Sequence, residues 1–168
     1  IIFILIFFLI SIPSFSNEKI VYLDVEKIMQ ESTAGKSIIN QLKKKRENSI
    51  SEFKKREKDM FEKEKKLISQ KNLLNDEDFK KKLKDLRSDI SNYQKDRNKV
   101  SNEITQKRIK ATRNLIKKLT PILEEYSKKN SIRIIVQKKH IVMGSKEDDI
   151  TNDILDLVNK KVKSIKVD

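Results

Sequence analysis

The 168-residue sequence carries 39 Lys and Arg against 25 Asp and Glu, a net charge of +14, and it contains no cysteine. Its only glycines are Gly35 and Gly144, which excludes the glycine-rich loops that cradle phosphates. Without disulfides, a chain of this size must be held together by packing or by association with copies of itself.

Residues 1–16 predict a signal peptide. Their apolar run is shorter than the roughly 20 residues that a helix needs to span a bilayer. Ser14 and Ser16, two positions apart, fit a small-x-small cleavage site near Ser16 and Asn17. No initiator methionine or basic leader precedes the run, so we expect the first part of the peptide to be missing. An uncleaved N-terminal anchor is the alternative interpretation.

Residues 19–24 have the β-branched and aromatic pattern of a short strand. Asp24 is a candidate cap for a brief helical turn that follows it. The segment Glu31–Lys36 then leads into a long polar helix.

Two heptad patterns follow, and they predict a helical hairpin. In the first, with Arg46 as its one break, the seam carries Ile39, Phe53, Met60, Leu67 and Leu74. In the second, with Arg97 as its one polar position, the seam carries Phe79, Leu83, Leu86, Ile90, Tyr93, Val100 and Ile104. We assign residues 35–119 to this arm and place its tip near residues 73–77, where Asn75 and three acidic residues suit a helix start.

Almost all the net charge lies on the arm. Residues 43–118 hold 26 Lys and Arg against 13 Asp and Glu, whereas the rest of the chain holds 13 against 12. Lys outnumbers Arg by 32 to 7, which suggests an AT-rich coding bias. Such a bias explains the choice of Lys over Arg but not the two-to-one excess of base over acid in the arm.

The rest of the chain predicts a small body made of residues 17–34 and 120–168. We expect further strands over about residues 132–137 and 140–143 and a last helix over about residues 152–164. Thr151 is the expected N-cap of that helix, and Leu155, Val158 and Val162 form its apolar face.

A body of about 65 residues is marginal by itself, and its short sheet would leave open edges. We therefore predict that it completes its core by oligomerisation. The side chains expected to contribute are apolar strand residues, namely Ile20, Tyr22, Ile134, Val136, Ile141 and Met143.

The order of these elements resembles the OmpH/Skp family of periplasmic chaperones. The most specific points of resemblance are the strand followed by Glu31–Lys36 and the Asp149-Ile150-Thr151 start of the last helix. The resemblance implies a homotrimer whose β body carries three helical arms around a cavity. It also implies a periplasmic, ATP-independent holdase for unfolded outer-membrane proteins, with no cofactor.

Under that reading the arm binds clients by charge and by exposed apolar side chains. Phe61 and Ile68 lie one position beyond the seam and are candidate contact points. The other candidates are lysines, namely Lys54, Lys55, Lys58, Lys65, Lys66, Lys80, Lys81 and Lys84. Anionic membrane surfaces and lipopolysaccharide are further candidate partners, although no residues here match a lipopolysaccharide site.

Two other functions fit parts of the sequence. A basic hairpin could bind nucleic acid through phosphate contacts, but few aromatic residues accompany the charges and no recognition fold is visible, so we expect no specific nucleic-acid partner. A passive periplasmic spacer is the second alternative. Catalysis is not expected, because His140 and the pair Asp148 and Asp149 form no catalytic or metal-binding constellation.

Overall fold

The computed structural model describes residues 19–168, so the predicted signal peptide lies outside this range. The helices and strands, in chain order, are β1 (Lys19–Leu23), α1 (Val25–Glu31), α2 (Thr33–Ser69), α3 (Asp76–Lys129), β2 (Ile132–Gln137) and α4 (Thr151–Lys161). Short 3-10 turns lie at Lys138–His140 and Lys146–Asp148. The predicted fold class, mainly α with a long antiparallel hairpin on a small β body, is confirmed.

A parallel pair of strands forms the sheet of the described chain. β1 and β2 are parallel, so the whole α2–α3 hairpin is the connection between them. Val21 of β1 lies opposite Ile135 of β2. Val21 and Leu23 are buried and face the helices, so this side of the sheet belongs to the interior.

The predicted third strand over residues 140–143 is wrong within the described chain. After β2 the backbone makes a 3-10 turn instead of a tight hairpin, because Lys138 and Lys139 do not suit the primed turns that reverse a strand. The chain then crosses to the far side of β1, where Tyr22 bridges Asp149 and accepts the Ile150 N–H at 3.0 Å. The free edge of β1 is therefore occupied by residues beyond the predicted strand.

A sharp elbow joins α1 to α2. Asp24 caps α1 by accepting the N–H of Lys27 at 2.9 Å, as expected. The buried Ser32 caps α2 by accepting the N–H of Gly35 at 3.0 Å. A Cβ atom on Gly35 would lie 2.0 Å from the carbonyl oxygen of Met29, so only glycine allows the two helices to approach this closely.

Two clusters of buried side chains connect the body to the base of the arm. The first cluster is Val21, Leu23, Ile28, Leu119, Ile122, Ile150, Ile154 and Val158. The second cluster is Ala34, Ile38, Ala111, Leu115, Ile165 and Val167. Because α3 contributes to both clusters, the second arm helix is continuous with the core of the body.

The last helix differs from its predicted form at both ends. α4 begins at Thr151 itself, so Thr151 is not the N-cap; its hydroxyl instead accepts the N–H of Asp24 at 2.9 Å. The buried apolar face of α4 also includes Ile154, which sequence reasoning missed. The helix ends at Lys161, and the residues after it leave the helical path.

Residues 162–168, which we call the C-terminal strap, lie across the base of the arm. Ile165 and Val167 are buried in the second cluster. The Gln41 amide donates to the Ile165 carbonyl at 2.8 Å, and its oxygen accepts the Val167 N–H at 3.1 Å. One side chain of α2 thus satisfies the strap backbone as a neighbouring strand would.

The arm is formed by α2 and the first part of α3. The chain reverses over residues 70–75, and Asn75 caps α3 by accepting the N–H of Asp78 at 2.8 Å. Of the predicted seam residues, Leu67, Leu86 and Tyr93 are buried, whereas Ile39 and Ile90 remain partly exposed. The arm therefore has a narrow core.

Candidate functional site

A cluster at the middle of the arm joins its two helices. The rings of Phe53 and Tyr93 meet edge to face with centroids 5.6 Å apart, and the Arg56 guanidinium lies 5.6 Å from the Tyr93 ring centroid. Glu57 accepts a hydrogen bond from the Tyr93 hydroxyl and lies 3.7 Å from Arg97. Burial, and then the bond to Glu57, raise the pKa of Tyr93. The sequence predicted the aromatic seam but missed this ionic layer around it.

Ion pairs between α2 and α3 link the two helices of the arm. Arg56 pairs with Asp96 at 2.9 Å, and Lys63 pairs with Asp89 at 2.7 Å. Since the residue number rises on α2 as it falls on α3, these pairs also establish the antiparallel register. Each pair neutralises one cation and one anion, so the net positive charge of the arm is carried by the cations outside these pairs.

The lysines predicted to bind clients are all exposed on the arm, and none forms an ion pair within residues 19–168. They are Lys54, Lys55, Lys58, Lys65, Lys66, Lys80, Lys81 and Lys84. Their charge is therefore directed to solvent and is available to an external partner.

Some of these residues share one face of α2 with the predicted apolar contact points. Phe61 and Ile68 are 62% and 66% exposed. Together with Lys54, Lys58 and Lys65 they recur at alternating steps of four and three, which places all five on one side of a helix. We call this set the outer stripe. It combines cationic and apolar side chains on one exposed side of α2.

The arm tip carries an apolar residue that sequence reasoning missed. Leu73, in the turn between the arm helices, is 83% exposed. Its position in a polar turn could have indicated this exposure, because a leucine there lies outside the interface between the two helices. Leu73 therefore adds exposed apolar surface at the end of the arm.

The residues predicted for oligomerisation lie on the outer face of the sheet or beside it. Ile20 pairs with Ile134 and Tyr22 pairs with Val136, so these four side chains share the face opposite Val21. Ile20 and Ile134 are exposed, whereas Tyr22 and Val136 are half-buried. The structure therefore brings four of the six predicted residues together on a largely apolar face.

The other two predicted residues, Ile141 and Met143, lie in the loop that replaces the third strand. Ile141 is half-buried, whereas Met143 is 92% exposed. The loop also exposes Val142, which sequence reasoning did not select. This loop adds apolar surface next to the outer face of the sheet.

Polar contacts hold that loop in place. The Tyr22 hydroxyl donates to the Ser145 carbonyl at 3.0 Å, and Lys138 contacts Asp149 at 2.9 Å. Partial burial raises the pKa of Asp149, but hydrogen bonds from Thr151 and Lys138 outweigh it and hold that pKa below its usual range. The exposed apolar residues are thus presented by a loop with defined anchors.

Neither a metal-binding cluster nor a membrane-spanning helix is found within residues 19–168. Across residues 19–168, no group of three or more His, Asp or Glu side chains is placed to hold a metal ion. Over the same residues, none of the helices combines the length and apolar character needed to cross a bilayer.

The sequence matches a known protein family, and the fold matches a solved structure. The family model for outer membrane protein (OmpH-like) matches residues 19–158. A crystal structure of a proposed outer membrane chaperone (OmpH-like) from Caulobacter crescentus CB15 superposes with a TM-score of 0.84 and 13% identity, covering 90% of this chain and 89% of that chain. At this identity the likeness shows the fold alone. No curated protein sequence matches the chain.

Proposed function

The chain belongs to the OmpH-like outer membrane protein family, and we propose that it is a periplasmic chaperone that holds unfolded outer-membrane proteins without ATP. Clients would be captured in a basic cavity between the arms of a homotrimer. The predicted signal peptide supports export, and the exposed basic arm supports binding to unfolded chains.

The observation that carries the proposal is the outer stripe. It places unpaired lysines next to exposed Phe61 and Ile68 on a long helix. An unfolded membrane protein exposes both polar and apolar segments, so a surface with both kinds of contact can hold many sequences weakly. Several such surfaces around one client give strong retention by multivalency without a specific site.

Assembly would take place through the outer face of the sheet. Ile20 and Ile134 leave apolar area exposed on a body whose own core is small. Three copies that share this face would complete that core and would hold their arms around a common space. With a net charge of +13 on residues 43–118 of each arm, that space would be lined by roughly +39.

Charge reversal tests the capture step. A variant with Lys54, Lys58, Lys65, Lys80 and Lys84 changed to Glu should lose suppression of aggregation of a urea-denatured outer-membrane β-barrel, measured by light scattering. Replacing the same five lysines by Arg keeps the charge and should preserve suppression. Mass photometry should find the same trimer for both variants. Suppression by the Glu variant equal to that of the parent would refute capture by charge.

The same assay separates the alternative of a passive spacer. A holdase should suppress client aggregation at near-stoichiometric trimer, whereas a spacer should leave it unchanged. A monomer in mass photometry would refute the shared body and with it the cavity.

A further inference from the structure

The two breaks in the arm's heptad pattern open onto one cavity. Arg46 interrupts the first seam and Arg97 interrupts the second, and both line a space of about 550 Å³ between α2 and α3. Arg108 lines it as well. The ion pair between Arg56 and Asp96 sets the register of the two antiparallel helices. Arg46 lies ten residues closer to the body than Arg56, so it faces the part of α3 next to Arg108.

One end of the cavity already shows how a carboxylate is bound there. Glu57 lines the cavity between the Tyr93 hydroxyl and Arg97. At the other end, Arg46 and Arg108 form no ion pair within residues 19–168. Both guanidinium groups line the same cavity, so an anion bound there would gain charge-assisted hydrogen bonds from them.

Apolar side chains form part of the walls between these two ends, beside Lys54 and the hydroxyl groups of Ser49, Ser101 and Thr105. Ile50, which is 47% exposed, lies beside Phe53 on α2, and Val100 and Ile104 line the opposite wall on α3. A free inorganic anion would gain nothing from these side chains. A polypeptide segment that carries an acidic residue next to apolar residues would satisfy both the arginines and the walls.

The length of the cavity sets the length of its ligand. Arg46 and Glu57 are eleven residues apart, which corresponds to roughly 16 Å along a helix at 1.5 Å per residue. An extended chain rises about 3.3 Å per residue, so about five residues span this distance. We propose that the cavity binds a short extended segment of an unfolded polypeptide, with an acidic side chain between Arg46 and Arg108. The inference rests on the proposed function and assigns it a specific contact.

The test uses an acetylated and amidated eight-residue peptide with two aspartates and two phenylalanines, and a second peptide with asparagines in place of the aspartates. Binding to the full chain is measured by isothermal titration calorimetry. R46Q/R108Q should weaken binding of the acidic peptide about tenfold, because it removes charge-assisted hydrogen bonds. It should leave the asparagine peptide nearly unaffected.

R87Q/R113Q is the matched control. It removes the same charge from exposed arginines of α3 that do not line the cavity. We expect a change of about twofold or less from this control. The thermal midpoint of R46Q/R108Q should equal that of the parent, because both arginines are exposed, and this measurement verifies that the arm is folded.

Three results would overturn the inference. The first is equal weakening by the two double variants, which would leave only overall charge. The second is equal binding of the acidic and asparagine peptides. The third is Arg46- and Arg108-dependent binding of anionic lipid vesicles without binding of the acidic peptide, which would identify a membrane site instead.

The inference and the proposed function can fail separately. A chain that binds the acidic peptide in this arginine-dependent way but does not suppress client aggregation would refute the chaperone proposal only. A chain that suppresses aggregation equally well with or without Arg46 and Arg108, and binds neither peptide, would refute the cavity only.

Discussion

Replacing Gly35 with alanine is expected to break the elbow between α1 and α2. The added Cβ would lie 2.0 Å from the carbonyl oxygen of Met29 and 2.7 Å from its carbonyl carbon. Both contacts are with backbone atoms, so no change of rotamer can relieve them. Alanine favours a helix over glycine by about 1 kcal/mol, but overpacking of a buried contact costs about 1–3 kcal/mol or more. The Ser32 cap on Gly35 would be strained by the same movement.

We therefore expect G35A to lower the free energy of unfolding by about 2 kcal/mol, with the overpacking cost exceeding the gain in propensity. Urea unfolding followed by circular dichroism at fixed protein concentration measures this change. Gly144→Ala is the matched control, because its Cβ would lie 2.9 Å from the Tyr22 ring, a side chain that can shift. The elbow argument fails if G35A is as stable as the parent, or if it destabilises less than G144A.

Ile165→Ala should lower the free energy of unfolding by about 2–4 kcal/mol, because it leaves a cavity at a buried position. It should also speed amide hydrogen exchange around Gln41. Unchanged exchange would show that the C-terminal strap does not stabilise the base of the arm. Ser131 has a φ of 54°, a left-handed conformation that suits glycine, so Ser131→Gly should stabilise the chain by about 1 kcal/mol; a loss of stability in the same urea titration would contradict this. Burial, and then the hydrogen bond to Asp153, raise the pKa of Tyr126 to about 12. Its stabilising effect should therefore be complete below pH 10 and be lost as the pH rises towards 12, and Tyr126→Phe should remove the last tyrosinate transition in an ultraviolet titration. An unchanged titration curve would rule out this assignment.

The arm could be predicted from the sequence because its structure depends on local spacing. The recurrence of Phe53, Leu67, Leu86 and Tyr93 encodes both the helices and the side on which they meet. The outer stripe followed in part, since Phe61 lies one step beyond the seam. What spacing could not show is which charges pair across the seam, because the partner of Arg56 is forty positions away in sequence.

The body was harder to predict because its contacts join distant segments. Residues 140–143 have the composition of a strand, yet whether they pair depends on which edge is free and on the turn at Lys138. The C-terminal strap had no helical period to reveal it. The alternation of Ile165 and Val167 predicts an extended segment only when the hydrogen bonds from Gln41 to the strap backbone are known.

The parallel pairing of β1 with β2 has a consequence for the order of folding. Lys19 meets Ile132, more than a hundred positions later in the chain. Closing an unfolded loop of that length costs about 4 kcal/mol of chain entropy. If α2 and α3 pair first, the loop is already folded back on itself and the two strands arrive side by side at much lower entropic cost. Substitutions that weaken the arm should therefore slow the formation of the sheet.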